Sequence, residues 1–178
     1  MLFNTDARYG LASKALHWLI AAGILGLTGL GAWMVGLGYF DSWYNRALAL
    51  HRSGGMIILG LALMLAIWKI ASPSPPLQAE LRAWERCSAP AVHLLLLGAM
   101  FVLPPSGYVI STSAGSGFPF LSALEVPALL PRSETARDLA ITIHYVAAYG
   151  LLPFVAVHAG AALKHQFIDK HGTLQRRL

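Results

Sequence analysis

Four of the histidines in or at the mouth of the long apolar stretches of this chain could act in pairs: His17, His51, His144 and His158. A neutral imidazole is a common metal ligand, and its placement at membrane depth is costly enough to signal function. His144 and His158 are 14 residues apart. In an α-helix that separation turns about 1400°, within roughly 40° of a whole number of turns, and rises about 21 Å. Both side chains therefore face the same way at two depths. One partner on each of two other helices completes two bis-histidine sites, stacked one above the other.

The elements that must position these histidines are membrane spans. The 178-residue chain is 56% hydrophobic and 12% charged, with a mean hydropathy of +0.58. Uncharged runs extend over Ala15–Phe40, Cys87–Leu124 and Leu139–Leu163, which are 26, 38 and 25 residues long. Each exceeds the roughly 20 residues needed to cross a hydrocarbon core. The run Ser53–Trp68 has 16 residues and reaches a full crossing only with the His51–Arg52 pair at its mouth. The expectation is an all-α membrane protein, one domain over 1–178, with four transmembrane helices at about 13–37, 47–70, 89–112 and 137–165. Runs this long argue against a soluble all-α protein. Asp6 beside Arg8 and Lys14, ahead of so long a run, is a poor fit to a cleaved signal peptide.

Basic residues set the expected orientation. Arg8, Lys14, Lys69, Arg82, Arg86, Lys164, Lys170, Arg176 and Arg177 lie on one side, against Arg46, Arg52, Arg132 and Arg137 on the other. The richer side should be cytoplasmic, with both termini inside. The net charge of +5 and pI near 9.7 thus express topology and affinity for anionic membrane lipid, and give no reason to invoke nucleic acid. Cys87 is the lone cysteine, placed on the cytoplasmic loop, so an intrachain disulfide or a thiolate metal cluster is excluded.

Between the spans, Ser72–Pro76 should end the second helix and open a cytoplasmic loop. Thr135–Asp138 has the spacing of a capping box and should start the fourth helix. The segment 113–134 carries Gly115, Gly117, Pro119, Pro127 and Pro131 among apolar residues; a loop with a short helix over the periplasmic mouth is expected. Pro104, Pro105 and Pro153 should kink the third and fourth helices. Gly23, Gly26, Gly29 and Gly31, and Gly54 with Gly55, either let helices pack closely or leave room for a flat macrocycle.

Alternating helix direction pairs the histidines by depth: His17 with His158 near the cytoplasm, and His51 with His144 near the periplasm. Zinc would call for three or four ligands, commonly with a carboxylate or thiolate, and no Asp or Glu lies in the four uncharged runs. Two neutral imidazoles per site in an apolar shell suit two b-type haems with both axial positions filled. Such sites pass single electrons and do not activate oxygen at the metal. His93 has no depth-matched partner left and reads as structural or interfacial. His171 lies in the polar tail.

The chain resembles the bacterial cytochrome b561 family, small di-haem, four-helix inner-membrane cytochromes that include superoxide oxidase. The resemblance runs nearly end to end. It rests on His17-Trp18, on His51 followed by Ser53-Gly54, on Gly107-Tyr108, on Ile143-His144-Tyr145, and on His158-Ala159 leading to Ala161-Ala162-Leu163-Lys164-His165. It implies the same four haem ligands in the same pairing. It also implies a ubiquinone site whose histidine matches His165; the alternative is an interfacial histidine capping the helix end. Trp18 is a belt aromatic or packs on haem or quinone. Arg52, next to a ligand, pairs with a haem propionate or is a surface arginine.

The expected function is transfer of electrons from a periplasmic one-electron donor, superoxide by the resemblance, to ubiquinone. That is a superoxide:quinone oxidoreductase-like activity in which no side chain is assigned a catalytic role. Arg46, Arg52, Arg132 and Arg137 could steer an anion, but Asp41, Glu125, Glu134 and Asp138 on the same side largely cancel them. The alternative is an electron-transfer module that docks a periplasmic redox protein through the loop 113–134. A haem-free membrane protein is the third reading, separated from the others by a reduced-minus-oxidised spectrum.

Overall fold

In a computed structural model that describes residues 1–77, 80–170 and 172–177, four long helices alternate in direction. They are α1 (Leu11–Met34), α2 (Tyr44–Ala71), α3 (Ala83–Thr112) and α4 (Glu134–Leu163), and α4 continues into a π-helical turn, Lys164–Ile168. All four are long and apolar enough to cross a membrane. Large hydrophobic side chains cover their outer faces; Ile67 is 67% exposed and Leu94 70%. On a soluble protein such continuous apolar surface would be an aggregation liability; in lipid it is the solvent-facing surface. The chain is a membrane four-helix bundle.

The helix starts differ from the expected ones where polar residues extend the helix beyond its apolar run. Helix α3 begins at Ala83 because Glu85 Oε2 accepts from the Arg82 N–H at 2.9 Å. Cys87 is consequently an exposed helical residue and not a loop residue. The capping box expected at Thr135 is not the start of α4. Ser133 caps that helix, its Oγ accepting from the Ala136 N–H at 3.2 Å. Both α3 and α4 run unbroken through Pro104, Pro105 and Pro153.

Both termini gather at one end. The Tyr9 N–H donates to the Arg176 carbonyl at 3.3 Å. Arg176 in turn donates to the carbonyls of Ala7 and Pro76. Asn4 ties the N-terminal segment down, accepting from Ser13 Oγ and the Gly10 N–H through Oδ1 and donating to the Ser72 carbonyl. At the opposite end the short helix expected within 113–134 is instead an antiparallel hairpin of β1 (Phe118–Phe120) and β2 (Leu124–Val126). Its turn places Leu121 and Ser122 in the left-handed region, at φ 51° and 59°. That conformation costs on the order of 1–2 kcal/mol per residue. A hydrogen bond from the Leu121 N–H to Ser53 Oγ on α2, at 3.1 Å, fastens the turn. Phe118 is buried beneath it.

Within the bundle α1 packs on α2, α2 on α3 and α3 on α4, while α4 makes at most marginal contact with α1 and α2. A small core of Ile20, Ala62 and Met100 fills the middle. The side of α4 facing α1 and α2 is therefore where the bundle leaves room.

Candidate functional site

The histidine pairs bridge this loosely packed side. His17 on α1 and His158 on α4 have ring centroids 6.1 Å apart at 61°. His51 on α2 and His144 on α4 stand 6.0 Å apart at 70°. Metal–imidazole bonds are about 2 Å, and with about 1 Å more from each nitrogen to its ring centre, trans imidazoles on one metal have centroids about 6 Å apart. Both pairs have that spacing. His93, on α3, has its ring 5.2 Å from that of His158, closer than two imidazoles on opposite sides of one metal would stand. For imidazoles on opposite sides of one metal, the spacing of His17 from His158 is the better match. His93, read from the sequence as structural or interfacial, is carried by α3 to the side of His158.

A cavity of about 350 Å³ opens at the hairpin-end pair, lined almost entirely by apolar groups. Two glycines make the space for its imidazoles. A Cβ on Gly31 would stand 3.0 Å from His51 Cε1, and one on Gly107 would stand 3.2 Å from His144 Cε1. Gly55 lines the cavity with open space in front of it, whereas Gly54 packs against Leu27 of α1. Of the two readings of this glycine pair, Gly55 thus provides room and Gly54 close packing.

Comparison with known proteins decides the family. Residues 8–176 match the family described as prokaryotic cytochrome b561. Cytochrome b561 homolog 2 of Escherichia coli K12 is 38% identical over 175 residues, covering 98% of this chain and 93% of the relative. Cytochrome b561 homolog 1 of the same organism is 28% identical over 174 residues, 96% of this chain and 97% of the relative. The chain belongs to the prokaryotic cytochrome b561 family. It is a membrane b-type cytochrome, and its activity is redox electron transfer.

The residues present fit b-type haem. His51 Nδ1 is buried without a hydrogen bond of good geometry, the Leu27 backbone being its nearest partner. His144 Nδ1 has two partners, the Leu103 carbonyl at 2.9 Å and Ser106 Oγ at 3.0 Å. Arg52 lines the same cavity with its Nε buried and unpartnered, its guanidinium 5.7 Å from the Phe118 ring centre. Arg52 is half-buried as a whole, and a cation at the edge of an apolar cavity is suited to a carboxylate, which a haem carries. At the terminal end Trp18 donates from Nε1 to the Arg177 carbonyl at 3.2 Å and sets its ring edge-on to His17. Its ring thus makes a direct contact with a candidate ligand.

His165 does not continue the regular face of α4 in this cytochrome. The π-helical turn, closed by the Asp169 N–H on the Lys164 carbonyl, widens the repeat, so the seven-residue spacing from His158 no longer fixes its direction. His165 Nδ1 meets Asp169 Oδ2 at 2.7 Å. Lys164 Nζ lies 2.6 Å from the same carboxylate and 3.0 Å from Glu85 Oε1. The Lys164 ammonium, then His165, hold the Asp169 carboxyl below its usual range. Glu85, His165 and Asp169 are spaced as cation ligands could be, but the Lys164 ammonium already donates to both carboxylates. Charge signals at Glu85 and Asp169 were visible in the sequence; their convergence on His165 was not. His171 lies outside the described residues.

Proposed function

We propose that this cytochrome carries electrons one at a time from a donor at its hairpin end, facing the periplasm, to ubiquinone at its terminal end, facing the cytoplasm of a bacterial inner membrane. The orientation is supported by the nine-to-four distribution of basic residues. The observation that carries the reading is the pair of ring spacings, 6.1 and 6.0 Å, at two levels of one bundle. His17 with His158, and His51 with His144, each hold one haem b. Bound haem would supply one-electron chemistry, held between the two imidazoles of each pair.

The remaining residues bind, orient and supply protons. Arg52 pairs with a haem propionate at the hairpin end, which answers its unpartnered Nε. At the terminal end Asp169 orients His165 through Nδ1, and His165 delivers a proton to the quinone head group. Superoxide is the donor that the family resemblance favours. Two superoxide anions each give up one electron and leave as dioxygen; one quinone takes both electrons with two protons and leaves as quinol. Rapid mixing of the haem-loaded protein with superoxide and a short-chain ubiquinone tests this: transient haem reduction and quinol formation are expected. Haems that stay oxidised sink the superoxide reading. A docking module is the second reading, favoured by the exposed Leu121, Leu124 and Leu129 around the hairpin. It predicts reduction by a periplasmic redox protein and none by superoxide.

A further inference from the structure

The two members of the hairpin-end pair are held unequally. His51 Nδ1 has no hydrogen bond of good geometry and only the Leu27 backbone near it, while His144 Nδ1 faces two groups of α3. The Leu103 carbonyl, at 2.9 Å, can only accept, so a lone pair on Nδ1 would face it at close range and be repelled. Nδ1 therefore carries the ring proton, and Nε2 is left unprotonated to meet a metal. Ser106 Oγ completes the arrangement. It donates to the same Leu103 carbonyl at 2.9 Å, which leaves its own lone pairs turned to His144 Nδ1 at 3.0 Å. Ser106 is buried, so water cannot replace it. The placement is local in origin: Ser106 follows Pro104-Pro105 on α3 and precedes Gly107, whose missing side chain lets the His144 ring lie against this helix. Among the described residues neither His17 nor His158 has any hydrogen-bond partner. No such anchor of the terminal-end pair is found among the described residues.

We infer that Ser106 is a positioning residue for His144, fixing with the Leu103 carbonyl both the tautomer and the rotation of that ring and thereby the electronic character of the hairpin-end haem alone. This rests on His144 being an axial ligand. A proton shared with two acceptors makes the imidazole a stronger electron donor, which favours ferric over ferrous iron. Removing the hydroxyl weakens that donation at one haem and leaves the other as it was.

The test uses the full-length protein carrying both haems, with the single-ligand variants His17→Ala and His51→Ala assigning each spectral component to its site. In Ser106→Ala both haems are retained, and the midpoint of the hairpin-end haem moves upward while the other stays. The ferric low-spin resonance of that haem also narrows, because a released ring can turn away from the 70° interplanar angle. Ser106→Thr, which keeps the hydroxyl, restores both properties. A hairpin-end midpoint that stays or falls in Ser106→Ala, or equal shifts in both haems, overturns the inference. The underlying ligand reading fails separately and visibly: His144→Ala would then retain two haems.

Discussion

At the scale of single residues, removal of a ring should be read out as the loss of one haem and not of both. His51→Ala or His144→Ala is expected to retain about one haem per chain, with the terminal-end component intact, and His17→Ala or His158→Ala to do the converse; a pyridine haemochrome assay counts them. Loss of both in every variant would mean that the two levels are not independent. Arg52 makes a second prediction. A cation close to an iron site favours the form with less positive charge, so Arg52→Gln should lower the midpoint of the hairpin-end haem and leave axial ligation unchanged. That is opposite in sign to Ser106→Ala, and a redox titration separates them. The residues themselves, His17, His51, His144 and His158, were legible from type and spacing. The neighbours that tune them were not. Ser106 reads in the sequence as one more small residue after a proline pair, and only the approach of α4 to α3 gives its hydroxyl a task.

At the scale of elements, Gly31 on α1 and Gly107 on α3 press on one imidazole each. The nominal gap is tighter at Gly31, but His51 Nδ1 has at most a poorly aligned contact with the Leu27 backbone, whereas His144 is pinned by two groups. Gly107→Ala should therefore disturb the hairpin-end site more than Gly31→Ala, by an overpacking cost of about 1–3 kcal/mol. Haem content after detergent extraction and the thermal midpoint of each variant check the order, and the reverse order would show that ring freedom is not what absorbs the added methyl. At the other end of α4 the π-helical turn redirects His165 towards Asp169. His165→Ala is expected to keep both haems and slow quinol formation, measured at saturating donor; a lost haem would place His165 in a ligand set and contradict the pairing. Helix existence followed from apolar length, but helix ends did not. Ser133 and Glu85 extend α4 and α3 through capping bonds that an apolar-run criterion does not register.

At the scale of the whole molecule, the field at the hairpin end governs how a small anion arrives. Arg132 is already paired with Glu134 at 3.3 Å on the open surface, and Asp41 and Glu125 offset further positive charge. Steering is then weak, and the second-order rate of haem reduction by superoxide should fall little between low and physiological ionic strength. Stopped-flow measurements across that range check it; a steep decline would reveal a net positive funnel.

Read alone, the sequence determined that the chain crosses a membrane four times and that His17 and His51 reach the levels of His158 and His144. Those properties depend on run length and on rise along a helix, both of which are counted residue by residue. Which side chains meet across helices was decided only by the tertiary structure. It set His93 beside His158, turned Ser106 and the Leu103 carbonyl towards His144, gathered Lys164 and Glu85 near His165, and made a hairpin where a short helix was expected. Each of these depends on the rotation of a helix about its own axis or on hydrogen bonds between distant segments, and the periodicity of a single strand of sequence leaves both undetermined.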